Sequence, residues 1–106
     1  MKRSFTAVLE RNARFTSDFA TEPYEAAWAA EARWFIRVLG IAPNTQLSFT
    51  AQLSPDGLFW CDEGIPLTIR EPGLYSIPLA NFGHWLRLNA RLTGETKLHI
   101  YLALRE

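Results

Sequence analysis

From residue 31 onward the chain alternates apolar and polar residues with a period of two. The alternation is clearest in HWLRLNARLTGETKLHIYLALRE, at the end of the sequence. One side of each of its two runs is entirely aliphatic. The aliphatic positions are Leu86, Leu88, Ala90 and Leu92, then Leu98, Ile100, Leu102 and Leu104. Successive side chains of a strand point to opposite faces, so these runs predict strands with one buried face.

Four earlier segments carry the same pattern, and turn sequences such as SPDG and REPG separate them. The segments are 31–38, 46–53, 65–69 and 74–79. Pro66 has no N–H, which predicts an edge strand for 65–69. In that strand Ile65, Leu67 and Ile69 are predicted to share one side. The predicted core comprises Trp34, Ile36, Leu47, Phe49, Leu86, Leu88, Ile100 and Leu102.

The first thirty residues are less regular. SFTAVLE is predicted to be a strand and NARFTSDF a second, short one. The segment TEPYEAAWAAEA carries helix signals. However, Trp28 and Ala30 continue the two-residue alternation that leads to Trp34, so we predict a loop that enters a long strand. A single helical turn near Pro23 is the alternative. Residues 1–30 form either an arm that packs on a neighbour or the segment that closes one end of the fold.

These elements predict an all-β protein, an antiparallel β-sandwich of the jelly-roll kind with seven to eight strands. At 106 residues it forms one domain, 1–106. The last two strands are predicted to pair as a hairpin through a loop at 94–96. The outward pairs would then be Arg91 with His99, Asn89 with Tyr101, and Trp85 with Arg105.

The charge balance argues against several partners. Eleven basic and eleven acidic residues give a net charge of zero, so neither nucleic acid nor a membrane surface is predicted to bind. The one cysteine, Cys61, excludes an intramolecular disulfide. No apolar stretch of signal-peptide length occurs near residue 1, so we expect synthesis in the cytoplasm, followed by incorporation into a phage-like particle if the protein is a virion module.

Two stretches carry a resemblance to a known family. FTAQLSPDGLFWCDEG and LANFGHWLRLNARLTG resemble the second half of a discoidin-type, galactose-binding-like jelly roll, and also small β-sandwich modules of phage and prophage structural proteins. The residues that carry it are Ser54, Asp56, Gly57, Trp60, Trp85, Leu86 and Arg87. The resemblance spans roughly residues 46 to 105 and implies the fold. The ligand-bearing loops of the discoidin family lie in its other half, so no binding residue is transferred.

Residues suited to catalysis or metal binding are sparse and scattered. His84, His99 and Cys61 have neither nucleophile–base spacing nor metal-ligand spacing. We therefore predict no enzymatic activity, no metal and no cofactor. Asp56, Asp62 and Glu63 leave one alternative open, because oxygen-rich loops can hold calcium. Turn preference alone also explains Asp56.

The polar sides of the strands carry more arginine and aromatic residues than water contact requires. These candidate binding residues are Trp85, Arg87, Asn89, Arg91, His99, Tyr101, Arg33, Phe35 and Arg37. Aromatic residues also favour strands for their own sake, but aromatics together with arginine are typical of protein interfaces. The sequence thus predicts a non-enzymatic structural or assembly protein, a subunit of a homo-oligomer or phage-like particle. A carbohydrate-binding module, with these residues as a glycan platform, is the alternative.

Overall fold

Nine strands and no helix make up the fold in a computed structural model, which describes residues 2–106. The strands are β1 (Ser4–Phe15), β2 (Phe19–Ala20), β3 (Tyr24–Glu25), β4 (Glu31–Ile41), β5 (Gln46–Ser54), β6 (Cys61–Ile69), β7 (Gly73–Ala80), β8 (Trp85–Thr93) and β9 (Thr96–Arg105). All strand pairs are antiparallel. The predicted all-β sandwich is confirmed.

The strands form two sheets. The four-stranded sheet has the order β1-β9-β4-β7, and the five-stranded sheet the order β2-β8-β5-β6, with β3 also paired to β8. Because β2 and β3 lie beside the same strand, they act as one interrupted strand, and the order is then that of an eight-stranded jelly roll. This interruption explains why nine strands are observed where seven or eight were predicted.

The predicted core is confirmed. Each of its eight residues is at most 2% exposed. Alternate residues of a strand point to the same face of its sheet, so the apolar residues of both sheets point inward and pack on one another. The buried threonines are hydrogen-bonded: Thr96 Oγ1 donates to the Gly40 carbonyl at 2.9 Å, and Thr21 Oγ1 accepts from the Leu88 N–H at 2.9 Å. The buried Trp34 Nε1 has no hydrogen-bond partner among residues 2–106.

The predicted β8–β9 hairpin is wrong. The strand β8 pairs with β5, and β9 pairs with β1 and β4 in the other sheet. The short connection crosses the sandwich instead of turning back within a sheet, and Thr45 of the β4–β5 connection holds it there by accepting from the Glu95 N–H at 3.2 Å. Gly94 has a φ of 108°, and a Cβ on it would collide with Thr45, so this crossing requires glycine.

The strand around residues 61–69 also differs from its prediction. It is one edge strand, β6, and its edge position confirms the interpretation of Pro66. Its register against β5 shifts between Phe49 and Ala51, where residues 64–66 form a bulge. Gly64 takes a φ of 75° in that bulge. The bulge turns Ile65 outward to 90% exposure, so Ile65 does not share the buried side of Ile69 as predicted.

The N-terminal segment packs on its own sandwich. The predicted strand and the short one after it are a single strand, β1, whose register against β9 shifts twice. No helical turn forms near Pro23; the strand β3 follows it, and the Ala26 N–H donates to the His84 carbonyl at 2.8 Å. The strand β4 then begins at Glu31, later than the Trp28 that was predicted to lead into it.

Candidate functional site

The nine predicted binding residues divide between two opposite surfaces. We call the outer side of the four-stranded sheet the β9 face and that of the five-stranded sheet the β8 face. The β9 face carries Arg33, Phe35, Arg37, His99 and Tyr101, and the β8 face carries Trp85, Arg87, Asn89 and Arg91. The single continuous surface expected from the hairpin does not form, because the two strands lie in different sheets.

An apolar row crosses the centre of the β9 face. Tyr101 lies opposite Phe35 on one side and opposite Val8 on the other. The side chains of such directly opposed residues touch. Val8 is 44% exposed, and Phe35 and Tyr101 are partly exposed. His99 stacks beside Tyr101 at a centroid distance of 5.9 Å and accepts at Nδ1 from the Asn12 N–H at 2.9 Å.

Two arginines flank this row. Arg33 and Arg37 project from the same strand, on either side of Phe35. Arg33 donates from Nη1 to Ser76 Oγ at 2.9 Å. Neither arginine forms an ion pair with a carboxylate of residues 2–106. Their charge is therefore available to a partner.

A groove opens next to the apolar row, and we call it the Ala103 groove. Ala103 lies between Thr6 and Arg33 on the neighbouring strands, and Pro78 follows Arg33. Small side chains in the middle of a row of larger ones leave a depression in the sheet surface. The groove has a volume of about 980 Å³, and Phe35 borders it. That volume is at the upper end of the range of about 300–1,000 Å³ found for binding pockets.

The β8 face is built differently, from polar side chains that bond to one another. Arg87 donates from Nε to Gln52 Oε1 at 2.6 Å, and Gln52 donates from Nε2 to Asp62 Oδ1 at 2.8 Å. The Arg87 guanidinium also lies 4.4 Å above the Trp60 ring. This polar row crosses three strands, and its members satisfy one another within the chain. Asn89 and Arg91 continue the face opposite Thr50 and Ser48.

The β5–β6 loop is the feature that the sequence did not reveal. It contains two large apolar side chains, Leu58 at 75% and Phe59 at 77% exposure, which we call the apolar tip. Asp56 Oδ1 accepts from the N–H groups of Leu58 and Phe59 at 2.8 and 3.0 Å. These bonds, with one from Ser54, lower the pKa of Asp56. The sequence does contain a signal for this loop. A Pro-Asp-Gly turn is followed by consecutive apolar residues that do not alternate with polar ones.

The stretches that carry the family resemblance meet at this loop. Ser54 lies opposite Trp85, and Gly57 packs against the Trp85 ring, where an added Cβ would be 3.3 Å from it. The side chain of Asp56 is occupied by the turn itself. In residues 2–106 no three of the His, Cys, Asp and Glu side chains come close enough together to hold a metal ion.

None of the described residues belongs to a helix that is long and apolar enough to cross a membrane.

No protein-family model matches the chain, and no curated protein matches it. Solved structures do share its fold. The PBSX exported protein XepA has a TM-score of 0.72 at 8% identity, over 94% of this chain and 36% of that one. The SPBc2 prophage-derived protein YomS has a TM-score of 0.63 at 8% identity, over 100% of this chain and 96% of that one. A chain of the T13 IBDV viral particle has a TM-score of 0.63 at 11% identity, over 98% of this chain and 31% of that one.

These likenesses establish the fold. This chain spans only 36% of the XepA chain but corresponds to nearly the whole of YomS, at 96%. The resemblance to prophage β-sandwich modules is thus confirmed at the level of the fold. The resemblance to discoidin-type domains is not confirmed by these comparisons.

Proposed function

We propose that this protein is a non-enzymatic structural subunit that associates with copies of itself, either as a free homo-oligomer or within a phage-like particle. The observation that carries the proposal is the β9 face. Its apolar row of Val8, Tyr101 and Phe35 reaches solvent on the isolated chain, beside two arginines that form no ion pair with a carboxylate of residues 2–106. Aromatic residues and arginine are the residues enriched at protein interfaces.

The neighbours in fold agree with this proposal. One is described as prophage-derived, one as an exported protein of PBSX, and one belongs to a viral particle. The scattering of His84, His99 and Cys61 over separate elements supports a role without catalysis, because acid–base or nucleophilic chemistry needs such groups within hydrogen-bond reach of each other.

Sedimentation velocity of the purified protein tests the proposal. We expect a species larger than the 12.1 kDa monomer at micromolar concentrations. Phe35→Ser should shift the protein toward monomer, because it removes the aromatic ring at one end of the apolar row, beside the groove. Thr50→Ala on the β8 face is the matched control and should leave the mass unchanged. A wild-type protein that remains monomeric throughout the micromolar range contradicts the proposal.

A carbohydrate-binding role is the second candidate, and the β8 face favours it. Trp60 offers an aromatic ring, and Arg87, Gln52 and Asn89 offer donors and acceptors beside it. A glycan array tests this role. Specific binding that is lost in both Trp60→Ala and Trp85→Ala, but kept in Phe35→Ser, would replace the assembly proposal with this one. Absence of specific binding would remove the candidate.

A further inference from the structure

The apolar tip is a rigid projection, although it is a loop. Ser54 Oγ accepts from the Gly57 N–H at 2.8 Å and from the Asp56 N–H at 3.2 Å. Asp56 in turn accepts from the N–H groups of Leu58 and Phe59. Four backbone donors are therefore bonded by two side chains. A loop held in this way loses little conformational entropy when it binds, which favours association.

The tip does not pack on the hydrophobic core formed by residues 2–106. At 75% and 77% exposure, Leu58 and Phe59 contribute almost nothing to the core. Elsewhere on the chain, the Ala103 groove is a concave surface bordered by Phe35, without a side chain to fill it. The groove lies on the outer side of the four-stranded sheet, and the tip joins two strands of the other sheet. One copy of the chain therefore displays both surfaces at separate places.

The charges of the two surfaces are complementary. The loop and the start of β6 carry Asp56, Asp62 and Glu63, with no basic residue between positions 54 and 64. The groove is lined by Arg33, which forms no ion pair with a carboxylate of residues 2–106, and by Arg105, which pairs with Glu31 at 2.8 Å. Its unpaired charge is therefore that of Arg33. Opposite charges around an apolar contact orient the partners and favour the correct pairing.

We infer that the apolar tip of one copy docks in the Ala103 groove of a second copy. Leu58 and Phe59 fill the groove beside Phe35, and the acidic loop faces Arg33. This inference rests on the proposed self-assembly and specifies its geometry. Because the two contacting surfaces differ, the contact is head-to-tail, and each pair of copies keeps one free tip and one free groove for further copies. Such contacts build closed rings or open filaments, whereas identical patches build two-fold dimers.

The decisive experiment uses two variants that each lack one of the surfaces. The double variant Leu58→Ser/Phe59→Ser removes the tip. Ala103→Glu fills the groove and repels the acidic loop. Each variant alone should sediment as a monomer. Mixed in equal amounts, they should form a species of twice the monomer mass and nothing larger, because the mixture contains one working tip and one working groove per pair.

Controls keep the result interpretable. Leu74→Ser removes another exposed leucine, at 67%, that does not line the groove, and should leave assembly unchanged. Circular dichroism and thermal unfolding establish that each variant is folded. If Ala103→Glu unfolds, Arg33→Glu serves as the groove variant, since it also places a negative charge there.

The outcomes separate this inference from the proposed function. If the wild type assembles and either variant alone assembles equally well, the head-to-tail contact is wrong and self-assembly stands. Failure of two folded monomeric variants to form the mixed dimer also overturns the inference. If the wild type is monomeric throughout, both the inference and the proposed function fail.

Discussion

The two outer faces belong to the two sheets of one sandwich, and yet they use their side chains in opposite ways. On the β8 face Arg87, Gln52 and Asp62 are linked by side-chain hydrogen bonds within the chain. On the β9 face Tyr101 and Phe35 belong to an apolar row that is partly exposed and that no other element of residues 2–106 covers. A row of hydrogen-bonded polar side chains is stable in contact with water. An apolar row is stabilised when another surface covers it and removes it from water.

This difference shows why residue type alone is a poor guide to an interface. Both faces carry arginine and aromatic residues, and the sequence offered them as one set. Neither Arg87 nor Arg37 forms an ion pair among residues 2–106, but Arg87 donates to Gln52 and lies over the Trp60 ring, whereas Arg37 lies over no aromatic ring of these residues. The surrounding contacts, which depend on the sheet to which the strand belongs, decide which arginine is available for a partner.

The largest expected effect lies beneath both faces and does not distinguish them. Leu88→Ala in one sheet and Leu102→Ala in the other should each lower the free energy of unfolding by about 2–5 kcal/mol, because each leaves a cavity in the shared core. Urea unfolding measures this. Leu58→Ala, at an exposed position, is the control and should change stability by less than about 0.5 kcal/mol. A cost confined to one sheet would mean that the two stripes do not form one core.

The next effect separates the faces directly. Tyr101→Ala should weaken self-association by about 2 kcal/mol or more, as truncation of a central interface aromatic does, while the fold survives. Asn89→Ala makes a truncation of similar kind on the β8 face and should leave association unchanged. Sedimentation equilibrium gives both values. Equal weakening by the two variants would break the distinction between the faces.

A smaller effect tests whether the β8 face is satisfied within the chain. Gln52→Ala breaks both bonds of the polar row and should lower the free energy of unfolding by about 0.5–1.5 kcal/mol. Association should not change, because the row contacts no partner. Thr50→Ala, the neighbouring outward position on the same strand, should affect stability less. Chemical unfolding together with sedimentation checks both parts, and a loss of association in Gln52→Ala would show that this face also binds.

The smallest effect concerns the acidic loop. Hydrogen bonds from the N–H groups of Phe59 and Leu58, then from Ser54, lower the pKa of Asp56 below its ordinary value of 3.8. A depressed folded-state pKa adds stability above the unfolded-state value, and that stability is lost as the pH falls through the folded-state pKa. The free energy of unfolding of the wild type should therefore drop more steeply below pH 4 than that of Asp56→Asn.

The difference between the two proteins in the pH dependence of the free energy of unfolding reports on Asp56 alone. The pKa of Glu106 is also lowered, mainly by the N–H of Arg3, but Glu106 titrates equally in both proteins. Parallel curves for the wild type and Asp56→Asn would show that the carboxylate does not hold the loop.

The candidate site was only partly predictable. Arg33, Phe35 and Tyr101 were predicted at outward strand positions, and the structure places all three on the β9 face; their role in binding stays a prediction. The apolar tip was missed because Leu58 and Phe59 look like the start of a strand when only local pattern is considered. The groove at Ala103 was not predicted, because its lining comes from four strands, and the sequence pattern does not specify which strands are neighbours.

Outside the β6 bulge, where Ile65 turns outward, the sequence by itself determined which strand side chains point inward. Alternation with a period of two assigns Leu88 and Ile100 to the buried side whatever strand lies next to them, and both are fully buried. It did not determine which strands are neighbours. The two aliphatic stripes reach the same core whether β8 and β9 form a hairpin or the chain crosses between the sheets. The alternation of apolar residues is therefore compatible with either arrangement. Only the tertiary structure decided between them, because the Gly94–Glu95 connection is held against Thr45, where the chain crosses the sandwich. Strand β9 therefore lies beside β4, and Tyr101 and Arg87 face opposite sides of the molecule.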